Sequence, residues 1–322
     1  MKASVERWLV DRWYGPIAPG IGLRALAGVY RLLRSAEGTV QPEQVAAPVI
    51  VVGNFTAGGT GKTPLVIALA KYFAGRGFKP GIISRGHGRQ SAQPLRVASG
   101  TPASECGDEP RLMFEKTGLP VLVDRDRAAA ARAAIEAGCD LVIADDGLQH
   151  RRLARDIEIE VVDGQRRYGN GLLLPAGPLR EAPRACDFRV VNGDAIEPGD
   201  WPMRLQLGDA VALDDSSARR GLRAFAALEA HAVAGIGNPA RFFQALRAVG
   251  LRIVEHEFED HHPYRFSDFS GMTGPILMTE KDAVKCRGLG LPDAWAVPVE
   301  AELSPGFFEA VEAKLRQRHV RT

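Results

Sequence analysis

Cysteine is scarce in this chain of 322 residues: Cys106, Cys139, Cys186 and Cys286 are scattered, and no two form a Cys-x-x-Cys pair. That spacing argues against a zinc site and a disulfide framework, and it fits a reducing compartment. Net charge is nearly absent as well, since 41 Lys and Arg against 39 Asp and Glu leave +2. With no aromatic RNA-binding signature among the basic residues, nucleic acid is not an expected partner. No run of eighteen apolar residues occurs, so no membrane-spanning helix is expected. Glu6 and Asp11 fall where a signal peptide would keep its apolar stretch uncharged. Repeats and low-complexity tracts are missing too. What is left is a folded chain of ordinary composition, long enough for two domains with a core each.

The N-terminus is less ordinary. Trp8, Trp13 and Tyr14 precede Leu23, Leu26, Tyr30 and Leu33 at helical spacing, while Arg24, Arg31 and Arg34 share a different stripe. This is the pattern of a helix lying in an anionic membrane interface. A helix packed on its own domain with solvated arginines gives the same pattern, and spacing alone does not separate the two.

From Pro48 to Asn192, short β-branched runs alternate with helical stretches, the signature of a mostly parallel sheet wound on both faces by helices. Strands are expected at Val49–Val52, Gly81–Ser84, Val121–Asp124, Leu141–Ala144, Ile157–Val162 and Phe188–Val191, with helices at Lys62–Gly75, Pro110–Lys116 and Arg127–Ala137. Met203 to Leu213 reads as two alternating runs around Gly208-Asp209, a two-residue hairpin signal. Beyond it, strands at Ala232–Ile236, Arg252–Phe258, Ile276–Thr279 and Ala294–Val299 and a helix starting near Pro239 make a smaller second α/β domain. The expected division is a membrane-associating segment 1–35, a nucleotide domain 36–202, a connector 203–215 and a C-terminal domain 216–322.

Directly after the first strand comes Gly53-Asn54-Phe55-Thr56-Ala57-Gly58-Gly59-Thr60-Gly61-Lys62-Thr63-Pro64, followed by a helical run. Strand, glycine loop and helix are the context a P-loop requires, and Thr56 stands where the general pattern opens with Gly. Thr56, Ala57, Gly58, Gly59, Thr60, Gly61, Lys62 and Thr63 are therefore the expected ATP-binding residues. Their backbone N–H groups ring the phosphates, Lys62 neutralises the β- and γ-phosphates, and the Thr63 hydroxyl is placed for Mg²⁺. A second apolar strand ends in Asp145-Asp146-Gly147-Leu148-Gln149-His150, the form of a Walker B strand, so Asp145 or Asp146 is expected to face Thr63 across the metal.

Asp108 and Glu109 stand just before a helix, where capping accounts for them and a base for phosphoryl transfer is the sharper reading. Asp260-His261-His262 lies at the carboxyl end of a strand, where ligands gather in open α/β sheets, although two loop histidines need no function. Gly235-x-Gly237-x-x-Ala240 is a weak dinucleotide pattern that a tight turn opening a helix explains as well.

In this order, GNFTAGGTGKTP, SRGHGR, GDEP, DDGLQH, GPLRE, DHH and TEKDAVK resemble the tetraacyldisaccharide 4′-kinase family, over a span from about Gly53 to Lys285. The resemblance implies two α/β/α domains joined by a two-stranded linker, the first a P-loop fold. It implies transfer of the ATP γ-phosphate to the 4′-hydroxyl of a tetraacyldisaccharide 1-phosphate, giving lipid IVA at the cytoplasmic face of the bacterial inner membrane. The protein would then be peripheral or monotopic, use ATP and Mg²⁺, and need no obligate protein partner. Residue by residue, it makes Asp108 the general base assisted by His261, keeps Lys62 on the phosphates and gives Thr63, Asp145 and Asp146 to the metal. Glu109, Gln149, His150, Arg180 and Glu181 join the site, and Lys281 has a motif but no role. A lipid acceptor also favours the membrane reading of the N-terminus. Two other accounts of the P-loop remain: an ATPase that drives a protein partner, and a nucleotide-dependent binding module in which Asp108 is only a cap.

Overall fold

A computed structural model describes residues 2–35, 40–194, 196–215 and 217–319; the expected boundaries at 36 and 216 and the chain ends at 1 and 322 lie outside them. Two helices open the chain, α1 (Lys2–Tyr14) and α2 (Ile21–Ser35), where the sequence had suggested one continuous amphipathic face. No helix among the described residues is long and apolar enough to cross a membrane.

The following elements are β1 (Val49–Gly53), α3 (Lys62–Gly75), β2 (Pro80–Ser84), β3 (Leu95–Arg96), α4 (Ala103–Cys106), α5 (Asp108–Thr117), β4 (Val121–Val123), α6 (Arg127–Glu136), β5 (Leu141–Asp145), β6 (Ile157–Asp163), β7 (Phe188–Asn192) and β8 (Asp200–Leu207). Then come β9 (Ala210–Ala212), β10 (Arg219–Arg220), β11 (Glu229–Ala234), α7 (Pro239–Ala248), β12 (Arg252–Glu257), β13 (Ile276–Thr279), α8 (Glu280–Cys286), β14 (Ala294–Val297), β15 (Val299–Leu303) and α9 (Pro305–His319).

The first sheet has the order β15-β8-β7-β6-β1-β5-β2-β4-β3. All its pairings are parallel except those of the two edge strands, β15 and β3. Its central strands are apolar on both faces because both faces are covered, as buried parallel sheets require. In β1, Ile50 and Val52 pack with Leu65, Leu69 and Phe73 of α3 and Phe307 and Val311 of α9. The alternate residues Val49 and Val51 pack with Ala128, Ala131 and Ala134 of α6. The small alanines bring α6 close to the strands, and full burial of side chains such as Leu65 and Phe73 contributes about 2 kcal/mol each.

The second sheet, β10-β9-β14-β13-β11-β12, is parallel from β14 to β12 and antiparallel at β9 and β10. Phe242, Phe243 and Leu246 of α7 cover one face. Ala283 and Cys286 of α8, with Tyr264 and Phe269, cover the other.

Two sequence readings are corrected. The strands around Gly208-Asp209 do not pair with each other: β8 joins the first sheet and β9 pairs with β14 in the second. Pro298 likewise splits the expected strand Ala294–Val299 into β14 in one sheet and β15 in the other. The chain thus crosses between the sheets twice, and residues 299–319, assigned to the C-terminal domain, complete the first layer instead. An alternating run specifies a strand but not its partner, which is why the hairpin signal misled.

Candidate active site

The P-loop is set by glycine. Gly61, at φ 98°, turns the chain into α3, while a Cβ on Gly58 or Gly59 would meet nothing within 4 Å. The cradle is therefore open where phosphates would sit against backbone N–H groups. Its rear is fixed by two side-chain bonds. Asn192 Nδ2 donates to Thr60 O at 3.0 Å, and the Lys62 ammonium donates to Asn54 Oδ1 at 3.1 Å. Thr56, in place of the usual glycine, is buried and bridges to Leu179, so the departure from the pattern serves loop packing.

Asp145 ends β5, next to β1, and Asp146 follows it. Asp146 takes a left-handed backbone (φ 50°), held by Arg180 at 2.8 Å and Lys62 at 3.5 Å. Burial pushes its carboxyl up, but the charges of Lys62 and Arg180 outweigh this and hold it well below the usual carboxylate range. Asp145 goes the other way: burial, then Glu109 and Asp146, raise it against Lys62 and Arg127. One oxygen of each acid, Oδ1 in both cases, is buried without a hydrogen bond. Two adjacent carboxylates, each with one buried oxygen that lacks a hydrogen bond, stand beside Lys62 and Thr63 and suit a divalent cation.

Asp108 and His261 come from the two different sheets. Asp108 opens α5, and His261 follows β12 with a left-handed backbone (φ 62°). His261 Nδ1 lies 3.0 and 2.9 Å from the two Asp108 oxygens. Asp108 is only 4% exposed. Burial raises its carboxyl, yet the hydrogen bond from His261 and the charges of Lys281, His261 and Lys285 bring it down to about 2. His261 is pushed down by burial and raised by its bond to Asp108, with a net rise above the ordinary histidine value. Asp108 caps no helix through its side chain except for accepting from the N–H of Glu109, so the capping account covers little of its chemistry.

A cavity of about 1430 Å³ runs from the P-loop to this pair. Lys62, Thr63, Asp145, Asp146, Glu109, Gln149, His150, Arg180 and His261 all contribute to its wall. Asp108 stands behind that wall, and Glu181 is reached through Gln149, which donates to it at 3.2 Å. Sequence reading missed Asn54, Asn192, Ser84 (whose hydroxyl donates to Asp145 at 3.3 Å) and Arg127, which donates to the Asp145 carbonyl at 3.1 Å. It quoted SRGHGR without a role for His87, whose ring lies 4.7 Å from that of His261. No local pattern marks Ser84 and Asn192, because their partners are distant in sequence, and Asn54 lies within the P-loop segment at a position the general pattern does not specify.

The sequence model of the family "LpxK: Tetraacyldisaccharide-1-P 4'-kinase" matches residues 19–316. This chain belongs to that family. The tetraacyldisaccharide 4′-kinase of Stenotrophomonas maltophilia is 53% identical, with 94% of this chain and 95% of that protein covered. That of Xanthomonas campestris pv. campestris is 49% identical over 95% and 96% of the two chains. In fold it is similar to the "apo" form of LpxK from Aquifex aeolicus crystallised with ATP, at a TM-score of 0.70, 25% identity and coverage of 97% and 99%. A member of this kinase family is an ATP-dependent kinase, and the open P-loop is where family and geometry agree.

Proposed function

We propose that the Asp108–His261 pair takes the proton of the 4′-hydroxyl of a tetraacyldisaccharide 1-phosphate while the P-loop presents the γ-phosphate of ATP. The observation that carries this is the meeting of a buried carboxylate from one sheet with a histidine from the other, on a cavity that begins at the P-loop. The acceptor oxygen attacks the γ-phosphorus, the bond to the bridging oxygen breaks, and ADP leaves; the products are ADP and lipid IVA. Asp108, ionised and acceptor-only, holds the Nδ1–H of His261, which turns the other ring nitrogen toward the cavity. The resemblance made Asp108 the base assisted by His261; the burial of Asp108 supports the pair as the base, with His261 as the member that meets the hydroxyl.

Lys62 and the P-loop N–H groups balance charge on the β- and γ-phosphates, and Arg180 holds Asp146 in its strained conformation. Thr63, Asp145 and Asp146 would hold Mg²⁺, which supplies charge neutralisation between the phosphates. The N-terminal helices support work at a membrane surface, the cytoplasmic face of the inner membrane. Ile21, Leu26, Val29, Leu32 and Leu33 of α2 are exposed, as is Trp8 of α1, which fits helices lying in the interface with the acyl chains left in the bilayer. Arg34 departs from the expected lipid-facing stripe, since it pairs with Glu181 at 3.3 Å.

The test is an acceptor analogue lacking the 4′-hydroxyl, in mixed micelles with labelled ATP. The intact acceptor gains label and the 4′-deoxy analogue does not; equal labelling of both would place the transfer at another oxygen and defeat the proposal.

A further inference from the structure

Lys281, the third residue of the TEKDAVK segment, lies in the first turn of α8 and is 15% exposed, with its ammonium directed into the site. An ammonium has three donors and no acceptor. Here it meets Asp260 Oδ1 at 3.0 Å, Glu109 Oε1 at 3.2 Å and His261 Nε2 at 3.4 Å, with Asp108 Oδ2 at 3.9 Å. Two of these groups belong to the second sheet's loop and two to α5 of the first, so one charge ties the two halves of the proton-accepting pair together.

We infer that Lys281 is a positioning residue for phosphoryl transfer, which fixes His261 as the Nδ1–H tautomer and keeps its Nε2 unprotonated and available to the acceptor hydroxyl. This rests on the reading of Asp108 and His261 as the base. The ring is constrained from both ends. Ionised Asp108 can only accept, so Nδ1 donates, and Lys281 can only donate, so Nε2 keeps its lone pair. At 3.4 Å the lysine contact is a weak one, which the acceptor hydroxyl replaces at the single lone pair of Nε2.

His261 is faced by Asp108 from α5, by His87 from the loop after β2, by Asp260 from its own loop and by Lys281 from α8, while Glu109 sits on Lys281 and Lys285 lies 3.7 Å from Asp108. Asp108 and Asp260 raise its basicity, whereas burial and Lys281 lower it. Lys281 itself stays charged, because Glu109, Asp108 and Asp260 together outweigh its burial and hold it above the ordinary lysine range. Without this cation, acid from solvent would protonate Nε2 at a higher pH and the pair would lose its acceptor site. Lys285 does not replace it, being engaged with Asp282 at 3.0 Å.

The experiment compares the full chain with Lys281→Met, Lys281→Gln and Lys281→Arg, reading the pH dependence of lipid phosphorylation and, by NMR of labelled histidine, the titration and tautomer of His261. Expected is an upward move of His261 titration by about one unit in Lys281→Met and Lys281→Gln, with the acid limb of kcat/KM moving alongside it. A rate loss of about tenfold below neutrality should recover at high pH, and Lys281→Arg should keep the wild-type profile. A uniform rate loss at all pH values with unmoved His261 titration would overturn the inference and leave Lys281 a structural tie. The NMR arm reads the lysine's effect whether or not His261 is the base. Wild-type phosphorylation in His261→Gln, by contrast, would sink the underlying reading alone.

Discussion

Asp108 concentrates the most consequence in one side chain. Its substitution by Asn keeps shape and burial but removes the charge that accepts from His261, so kcat should fall by about 10² to 10⁴ with ATP affinity unchanged. Steady-state kinetics beside calorimetric ATP titration would show this, and a matched loss of affinity would contradict it. The same group has a stability consequence. Its folded-state pKa of about 2 lies below the unfolded value near 3.8, so its contribution is present above about pH 4 and lost as pH falls through about 2. Denaturant unfolding should show Asp108→Asn less stable than wild type by about 2 kcal/mol at neutral pH, with the gap closing in acid. At this scale the sequence was legible where chemistry is local: Lys62, Thr63 and the acid pair follow from strand, glycine loop and strand end. Asn192 on Thr60 and Lys281 on Glu109 were not legible, since each bond joins residues far apart in the chain.

At the scale of elements, α2 links an exposed apolar face to the candidate site. The Tyr30 hydroxyl donates to the Arg180 carbonyl at 2.9 Å, Arg34 holds Glu181, and the Arg180 guanidinium holds Asp146. Its outer residues touch none of this. Leu32→Glu with Leu33→Glu should therefore cut vesicle co-sedimentation about tenfold or more while leaving ATP binding alone, because two charges are set into an otherwise apolar stripe. Unchanged vesicle binding would mean that this face is not the membrane contact. Helical periodicity revealed the apolar face but not the break after Tyr14, where Gly15 to Gly20 separate α1 from α2. It also could not tell a solvated arginine from one like Arg34 that turns inward.

At the scale of the molecule, the site exists only where the two sheets meet. On one side α5 and α8 are joined by Lys116–Glu280 at 2.8 Å, Lys281–Glu109 at 3.2 Å and Arg287–Glu115 at 2.5 Å. On the other, Arg241 of α7 reaches Asp163 of β6 at 2.7 Å, and Gly237 packs so closely that a Cβ there would lie 2.9 Å from the Gly59 nitrogen. Gly237→Ala should push this loop off the P-loop and raise the Kd for ATP several-fold, with vesicle binding retained; nucleotide titration giving the wild-type Kd would show that the approach is not part of the site. The α/β class and the presence of two separate sheets were readable from alternation of strand and helix patterns. The return of β15 and α9 to the first sheet was not, because Pro298 marks a break without saying where the chain goes next.

The most direct test of the central claim follows label from γ-labelled ATP into tetraacyldisaccharide 1-phosphate in mixed micelles with Mg²⁺, for the wild type and Asp108→Asn. The wild type should label the lipid, and Asp108→Asn, still binding ATP, should do so at least about a hundredfold more slowly. Equal labelling by the two proteins, or ATP hydrolysis by the wild type with the lipid left unlabelled, would contradict a kinase whose acceptor proton passes to the Asp108–His261 pair.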